Sequence, residues 1–159
     1  MKKTTFLLLF TLFVGITITN AQDMTEKDVP GPVMTAFKKK YPSATDTKWK
    51  KTKNGKLEAD FKLSDKKAEA KFSPEGAWLE SKQRIGKAQV PAKIIDYVKK
   101  NYAGYEIDKT EFQEESKDNK KEYEVVIKKD QIKEELKFDA QGNFVKKKDK
   151  KDKKEQKEG

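Results

Sequence analysis

The chain has 159 residues, a formal net charge of +10 and 34% hydrophobic against 40% charged residues, a balance that allows one thin two-layer core and excludes a large globular interior. It contains no Cys and no His, which excludes disulfides, thiol nucleophiles and lipoprotein acylation, and removes the usual base near neutral pH and the commonest transition-metal ligand. Nucleic acid is not an expected partner: Arg84 is the only arginine, whereas such a surface needs a dense basic stripe interleaved with Arg and stacking aromatics.

Residues 1–21 combine Lys2 and Lys3, an apolar run from Phe6 to Ile18, and small residues at Thr19 and Ala21. This is the pattern of a cleaved signal peptide with a mature start near Gln22, so the mature protein is expected to be periplasmic or secreted, without a membrane span. Residues 22–28 form an N-terminal segment to which the sequence assigns no element.

The first unit covers residues 29–82. Val29-Pro30 opens it, and Val33, Phe37 and Tyr41 at helical spacing predict an amphipathic helix closed by Pro42. Thr45, Thr47 and Trp49 then alternate with polar neighbours, and Asn54-Gly55 signals a hairpin. Leu57, Ala59, Phe61 and Leu63 alternate with Glu58, Asp60 and Lys62, and after Ser64-Asp65 the residues Ala68, Ala70 and Phe72 alternate with Lys67, Glu69 and Lys71. Both stretches predict strands with one buried and one wet face. A turn at Gly76 leads into a last strand at Trp78.

Residues 83–89 are read as a linker, and residues 90–145 repeat the unit. Val90-Pro91, Ile94, Val98 and Tyr102 match the first helix at an offset of 61, and residues 123–144 match residues 57–78 at an offset of 66. The five additional residues are assigned to a longer hairpin loop in the polar run 114–121. Residues 146–159 hold eight lysines against four acids and no apolar residue, and are read as a disordered lysine-rich tail.

Alternation with one apolar face requires an antiparallel sheet covered on a single side. The expected fold class is therefore α+β: two tandem units, each one helix and four strands, with both helices on one face of the sheet. The arrangement of Val-Pro, helix, Tyr41-Pro42, Trp49, alternating strand and Phe72 to Trp78, repeated through Val90-Pro91, Tyr102, Tyr123 to Val125 and Phe138 to Phe144, resembles the PepSY-like, beta-lactamase-inhibitor-like proteins. The resemblance spans roughly residues 24 to 146 and implies the fold of beta-lactamase inhibitory protein, export, and a binding role without catalysis.

The charged positions on the wet face are the candidate protein-binding residues: Glu58, Asp60, Lys62, Lys67, Glu69 and Lys71 in the first copy, with Glu124, Lys128, Lys133, Glu135 and Lys137 in the second. An exported hydrolase is the expected class of protein partner, and the alternative is an anionic envelope polymer held by the tail. No catalytic residue, cofactor or metal is expected.

Overall fold

The computed structural model describes residues 22–148; the leader read at residues 1–21 and residues 149–159 of the tail lie outside the described residues. The described chain forms β1 (Gln22–Met24), α1 (Gly31–Lys40), β2 (Thr45–Lys51), β3 (Leu57–Leu63), β4 (Lys66–Phe72), β5 (Trp78–Ile85), α2 (Ala92–Asn101), β6 (Glu106–Glu115), β7 (Lys120–Lys129), β8 (Ile132–Asp139) and β9 (Phe144–Lys147). The nine strands make one antiparallel sheet whose spatial order is the order of the chain.

Both helices start after a proline whose missing amide hydrogen costs nothing there, Pro30 before α1 and Pro91 before α2. The lysines of each last turn suit the negative end of the helix dipole. Register then carries one apolar face across the sheet: Phe61, Ala68, Gln83, Phe112, Tyr123 and Phe138 stand opposite one another strand by strand. Because that row is continuous, α1 and α2 lie on the same side. This is the expected α+β architecture.

Each helix closes its own core. Val33 and Phe37 of α1 pack with Trp49, Leu57, Phe61 and Phe72, while Ile94 and Val98 of α2 pack with Val125, Ile127, Leu136 and Phe138. The first core is aromatic, with the Phe37 ring 5.1 Å from both Trp49 and Phe61. The second is mostly aliphatic. Along one row the first copy has Trp49, Ala59 and Ala70 and the second has Thr110, Val125 and Leu136, so bulk shifts inward from the outer strand.

Three sequence readings change. Residues 22–28 and 83–89 are neither featureless nor a simple linker, because they are copies of each other. Gln22, Asp23 and Met24 pair with Lys51, Lys50 and Trp49, as Gln83, Arg84 and Ile85 pair with Phe112, Glu111 and Thr110. A 3-10 turn follows in both, Glu26–Asp28 and Lys87–Gln89. The Thr25 amide donates to Asp28 at 3.2 Å, as the Gly86 amide does to Gln89 at 2.9 Å. Thus β5 ends the first copy and begins the second.

The five inserted residues do not lengthen a loop. They extend both strands of the hairpin, β6 and β7 having 10 residues each where β2 and β3 have 7. Glu114 faces Lys121 and Glu115 faces Lys120 within that extension. Opposite charges placed across the turn favour pairing over a free loop. The Lys121 ammonium lies 3.0 Å from Glu114.

The tail begins later than residue 146. Lys146 and Lys147 belong to β9, and the Lys148 amide donates to the Glu135 carbonyl at 2.8 Å. Lys148 is 7% exposed. No helix among the described residues is long and apolar enough to cross a membrane.

Candidate charged sheet face

Side chains alternate across a strand, so the apolar positions that meet the helices force their neighbours onto the opposite face. The candidate residues fall there on β3, β4, β7 and β8, between buried neighbours such as Ala59, Phe61, Ala70, Val125 and Leu136. Lys62, Lys67, Lys128 and Lys133 are exposed, and Glu58, Asp60, Glu69, Lys71 and Lys137 are partly covered. Glu124 and Glu135 are buried. The expectation that they belong to an open recognition surface is therefore corrected, and the cause lies in the lysine at the end of β9.

In the first copy the charges form a partly hydrated lattice. Lys50 donates to Asp60 and lies 3.9 Å from Glu58. Lys71 lies 2.9 Å from Glu80, 3.7 Å from Glu69 and 3.8 Å from Glu58. Burial raises the Glu58 carboxyl above its usual range, with the Glu69 charge adding to it, against the opposing pull of Lys71. Burial works against the charged form of Lys71, yet Glu80 and the neighbouring acids hold its ammonium above the usual value.

In the second copy Lys148 occupies the position that Lys82 holds in the first, facing Glu135 as Lys82 faces Glu69. Its ammonium lies 2.7 Å from Glu124 and also pairs with Glu135. Burial alone would raise Glu124; the Lys148 hydrogen bond, helped by a hydrogen bond with Glu135 and by the Lys82 charge, overcomes it and lowers the carboxyl to about 2. Beside this cluster Lys137 bonds Glu122 at 3.1 Å and Gln113 bonds Glu124 at 2.7 Å. The second half of the face is thus closed by internal pairing.

The carboxylates of Glu58, Asp60 and Glu69 approach within 4.8 Å of one another, a spacing compatible with a cation. Each of the three carboxylates already pairs with Lys50 or Lys71, so the cluster is accounted for as an ion-pair lattice. Lys148 is the residue that sequence reading missed. Its signal was present, since it follows Phe144 by the same interval that separates Lys82 from Trp78.

The profile of a family described as "Putative beta-lactamase-inhibitor-like, PepSY-like" matches residues 16–63 and 55–146. No curated protein matches the chain. Among solved structures, a BLIP-like protein from Bacteroides fragilis is similar at 23% identity and a TM-score of 0.64, over 76% of this chain and 86% of that one. A DUF2874 family protein from Bacteroides ovatus is similar at 23% identity and a TM-score of 0.63, over 75% and 86%. A protein from Bacteroides eggerthii described as periplasmic shares 18% identity with a TM-score of 0.64, over 76% and 88%. These likenesses are likenesses of fold.

Proposed function

This chain belongs to the PepSY-like, beta-lactamase-inhibitor-like family, and we propose that it is an exported, noncatalytic binding protein whose polar sheet face engages an exported hydrolase. The leader-like residues 1–21 and the periplasmic description of the Bacteroides eggerthii neighbour support export. The family description supports the class of partner.

The observation that carries the reading is the first-copy half of the face, which the helices leave uncovered and where cross-strand pairs hold Lys50, Asp60, Lys71 and Glu80 in place. Side chains already ordered by such pairs lose less freedom on docking. Aromatic and arginine anchors are few there, so the surface acts through charge complementarity, governing partner choice and association rate more than raw affinity. The operative candidates are Glu58, Asp60, Lys62, Lys67, Glu69 and Lys71, with Lys128, Lys133 and Lys137 at the margin; Glu124 and Glu135 serve the structure.

The test is photo-crosslinking in the native envelope from positions 60 and 67, with positions 35 and 96 on the helices as references. A product that forms only from the sheet positions and is lost on Asp60→Lys with Lys67→Glu is expected. A product indifferent to that reversal would sink the surface assignment. The alternative partner, an anionic envelope polymer, would be held by the lysines of residues 149–159 together with the exposed Lys146 and Lys147 of β9.

A further inference from the structure

Strand β9 is the outer edge of the sheet on the side of the second copy, so its outward backbone amides and carbonyls have no neighbouring strand among the described residues. The first copy contains the same edge already occupied. Residues 78–82 of β5 correspond to residues 144–148, and both stretches pair inward through the same irregular register, Trp78 on Phe72 and Phe144 on Phe138 with one residue bulged beyond. On its outward side β5 carries β6. Glu80 faces Glu115, Ser81 faces Glu114, Lys82 faces Gln113, and the Ser116 amide donates to the carbonyl of the bulged Leu79 at 2.8 Å. The bulge is therefore no bar to a further strand.

What differs between the copies is cover and charge. Trp78, Leu79, Glu80 and Ser81 are all partly covered, whereas Phe144, Val145, Lys146 and Lys147 are all exposed. Val145 is 51% exposed and Phe144 37%, the Phe144 ring resting with one face on Tyr97 at 4.8 Å. Glu80 and Ser81 have become Lys146 and Lys147, so two cations replace an acid and a hydroxyl on the copy whose edge is open. Lysines on an edge strand turn away a basic strand by repulsion. They attract an acidic one.

We propose that the outer edge of β9 takes up an extended acidic segment of a partner protein, added antiparallel as a further strand. Its amides and carbonyls pair with those of residues 145–148, acids stand opposite Lys146 and Lys147, and the chain beyond them passes over Val145 and Phe144. Backbone pairing supplies register and affinity, and the lysines supply the choice of partner. A second copy of this chain fits less well. Two β9 edges placed antiparallel about Lys146 and Lys147 set lysines against lysines. The segment of another copy that corresponds to residues 113–115 is 52–54, which includes Lys53 and lies in the turn between β2 and β3, closed by the Gly55 amide on the Thr52 carbonyl at 2.9 Å.

The probe is a fluorescent peptide with the sequence of residues 110–116, which carries Glu114 and Glu115 as they stand against β5. Titration into the purified protein, read by anisotropy and amide NMR, is expected to show saturable binding with shifts confined to residues 144–148 and to β8 behind them. Lys146→Glu with Lys147→Ser, which installs the first copy's own residues, is expected to weaken binding at least roughly tenfold. A peptide with lysines in place of its two adjacent glutamates is expected to bind the parent protein no better than that. N-methylation of the peptide amide that meets the Val145 carbonyl is expected to weaken binding to a similar extent, because strand addition needs that donor. An N-methylated peptide that binds undiminished would reduce the contact to charge alone, as for an anionic polymer, and overturn the proposal. So would an absence of saturable binding, shifts at residues 78–82 in place of 144–148, or binding that appears only once residues 149–159 are removed, which would make the chain's own tail the occupant. Association of the protein with itself that the double variant abolishes would assign the edge to a second copy and overturn it as well. Circular dichroism separates lost binding from lost fold in the double variant; should that variant fold poorly, the lysine and N-methylated peptides on the parent protein carry the test.

Discussion

Glu58 and Glu124 occupy the same position in the two copies, yet their carboxyl groups move in opposite directions from the ordinary value, up for Glu58 and down to about 2 for Glu124. Desolvation acts on both. The difference is the Lys148 ammonium at 2.7 Å from Glu124, against lysines at 3.8 and 3.9 Å from Glu58.

Opposite shifts give opposite dependences of stability on pH. Glu124, lowered in the folded state, contributes stability that is present above its unfolded value and fades as pH falls from about 4.5 towards 2. Glu124→Gln should therefore cost on the order of 3 kcal/mol in urea melts at pH 7 and little at pH 2. Glu58, raised in the folded state, opposes stability at neutral pH and ceases to do so once protonated. Glu58→Gln should be neutral or stabilising at pH 7, with the advantage gone in acid. Equal losses for the two variants at pH 7 would refute the difference between the copies.

Lys148→Ala leaves Glu124 and Glu135 buried without their shared cation, and removal of one member of such a cluster costs about 3 to 5 kcal/mol. The triple change Lys148→Met, Glu124→Gln and Glu135→Gln should recover most of that loss. Chemical denaturation of both variants checks the pair of outcomes, and a Lys148→Ala midpoint equal to the parent's would place the lysine in solvent.

Phe72 and Phe138 are both fully buried, one at the centre of each core. Replacement by Ala should cost about 3 to 5 kcal/mol in either copy. A loss below about 1 kcal/mol in urea melts would contradict the assignment of faces.

Gly76 turns with φ at +91°, and a Cβ there would stand 2.7 Å from the carbonyl carbon and oxygen of Pro32. Gly142, its counterpart, has φ at +76° but would meet the Lys93, Ile94 and Pro91 side chains at 3.3, 3.4 and 3.7 Å. Gly76→Ala should therefore destabilise by about 2 kcal/mol or more, and Gly142→Ala by clearly less. Thermal melts of the two variants measure the difference, and a larger loss at Gly142 would reverse the inference about the α1 contact.

What the sequence displayed was periodicity. The strict alternation of Leu57 to Leu63 and of Ala68 to Phe72, written again from Tyr123 onward, is enough to place four central strands and their buried face. The onset of the repeat was hidden because residues 22–30 and 83–91 share only Gln, Val and Pro, and a three-residue strand such as β1 has no period to read. The hairpin extension was disguised by its polarity. Only the order of its charges, acids on the arriving strand and lysines on the leaving one, records the pairing. Lys148 was legible only through its spacing from Phe144 in the repeat, because its partner Glu124 is 24 residues away and itself polar. Two like-looking copies thus concealed one open and one closed half of the same face.

The sequential order of the strands also sets how the fold answers a mechanical load. Gln22 begins one edge of the sheet and Lys147 ends the other, eight strand spacings or roughly 40 Å apart. Tension between these edges runs across the strands, parallel to the interstrand hydrogen bonds. The ladders are then loaded from their ends and open in succession, as a zipper does, instead of resisting together in shear. A chain held at both edges would yield strand by strand, and the helix-bound cores, each closed over its own strands, would be the points at which peeling pauses.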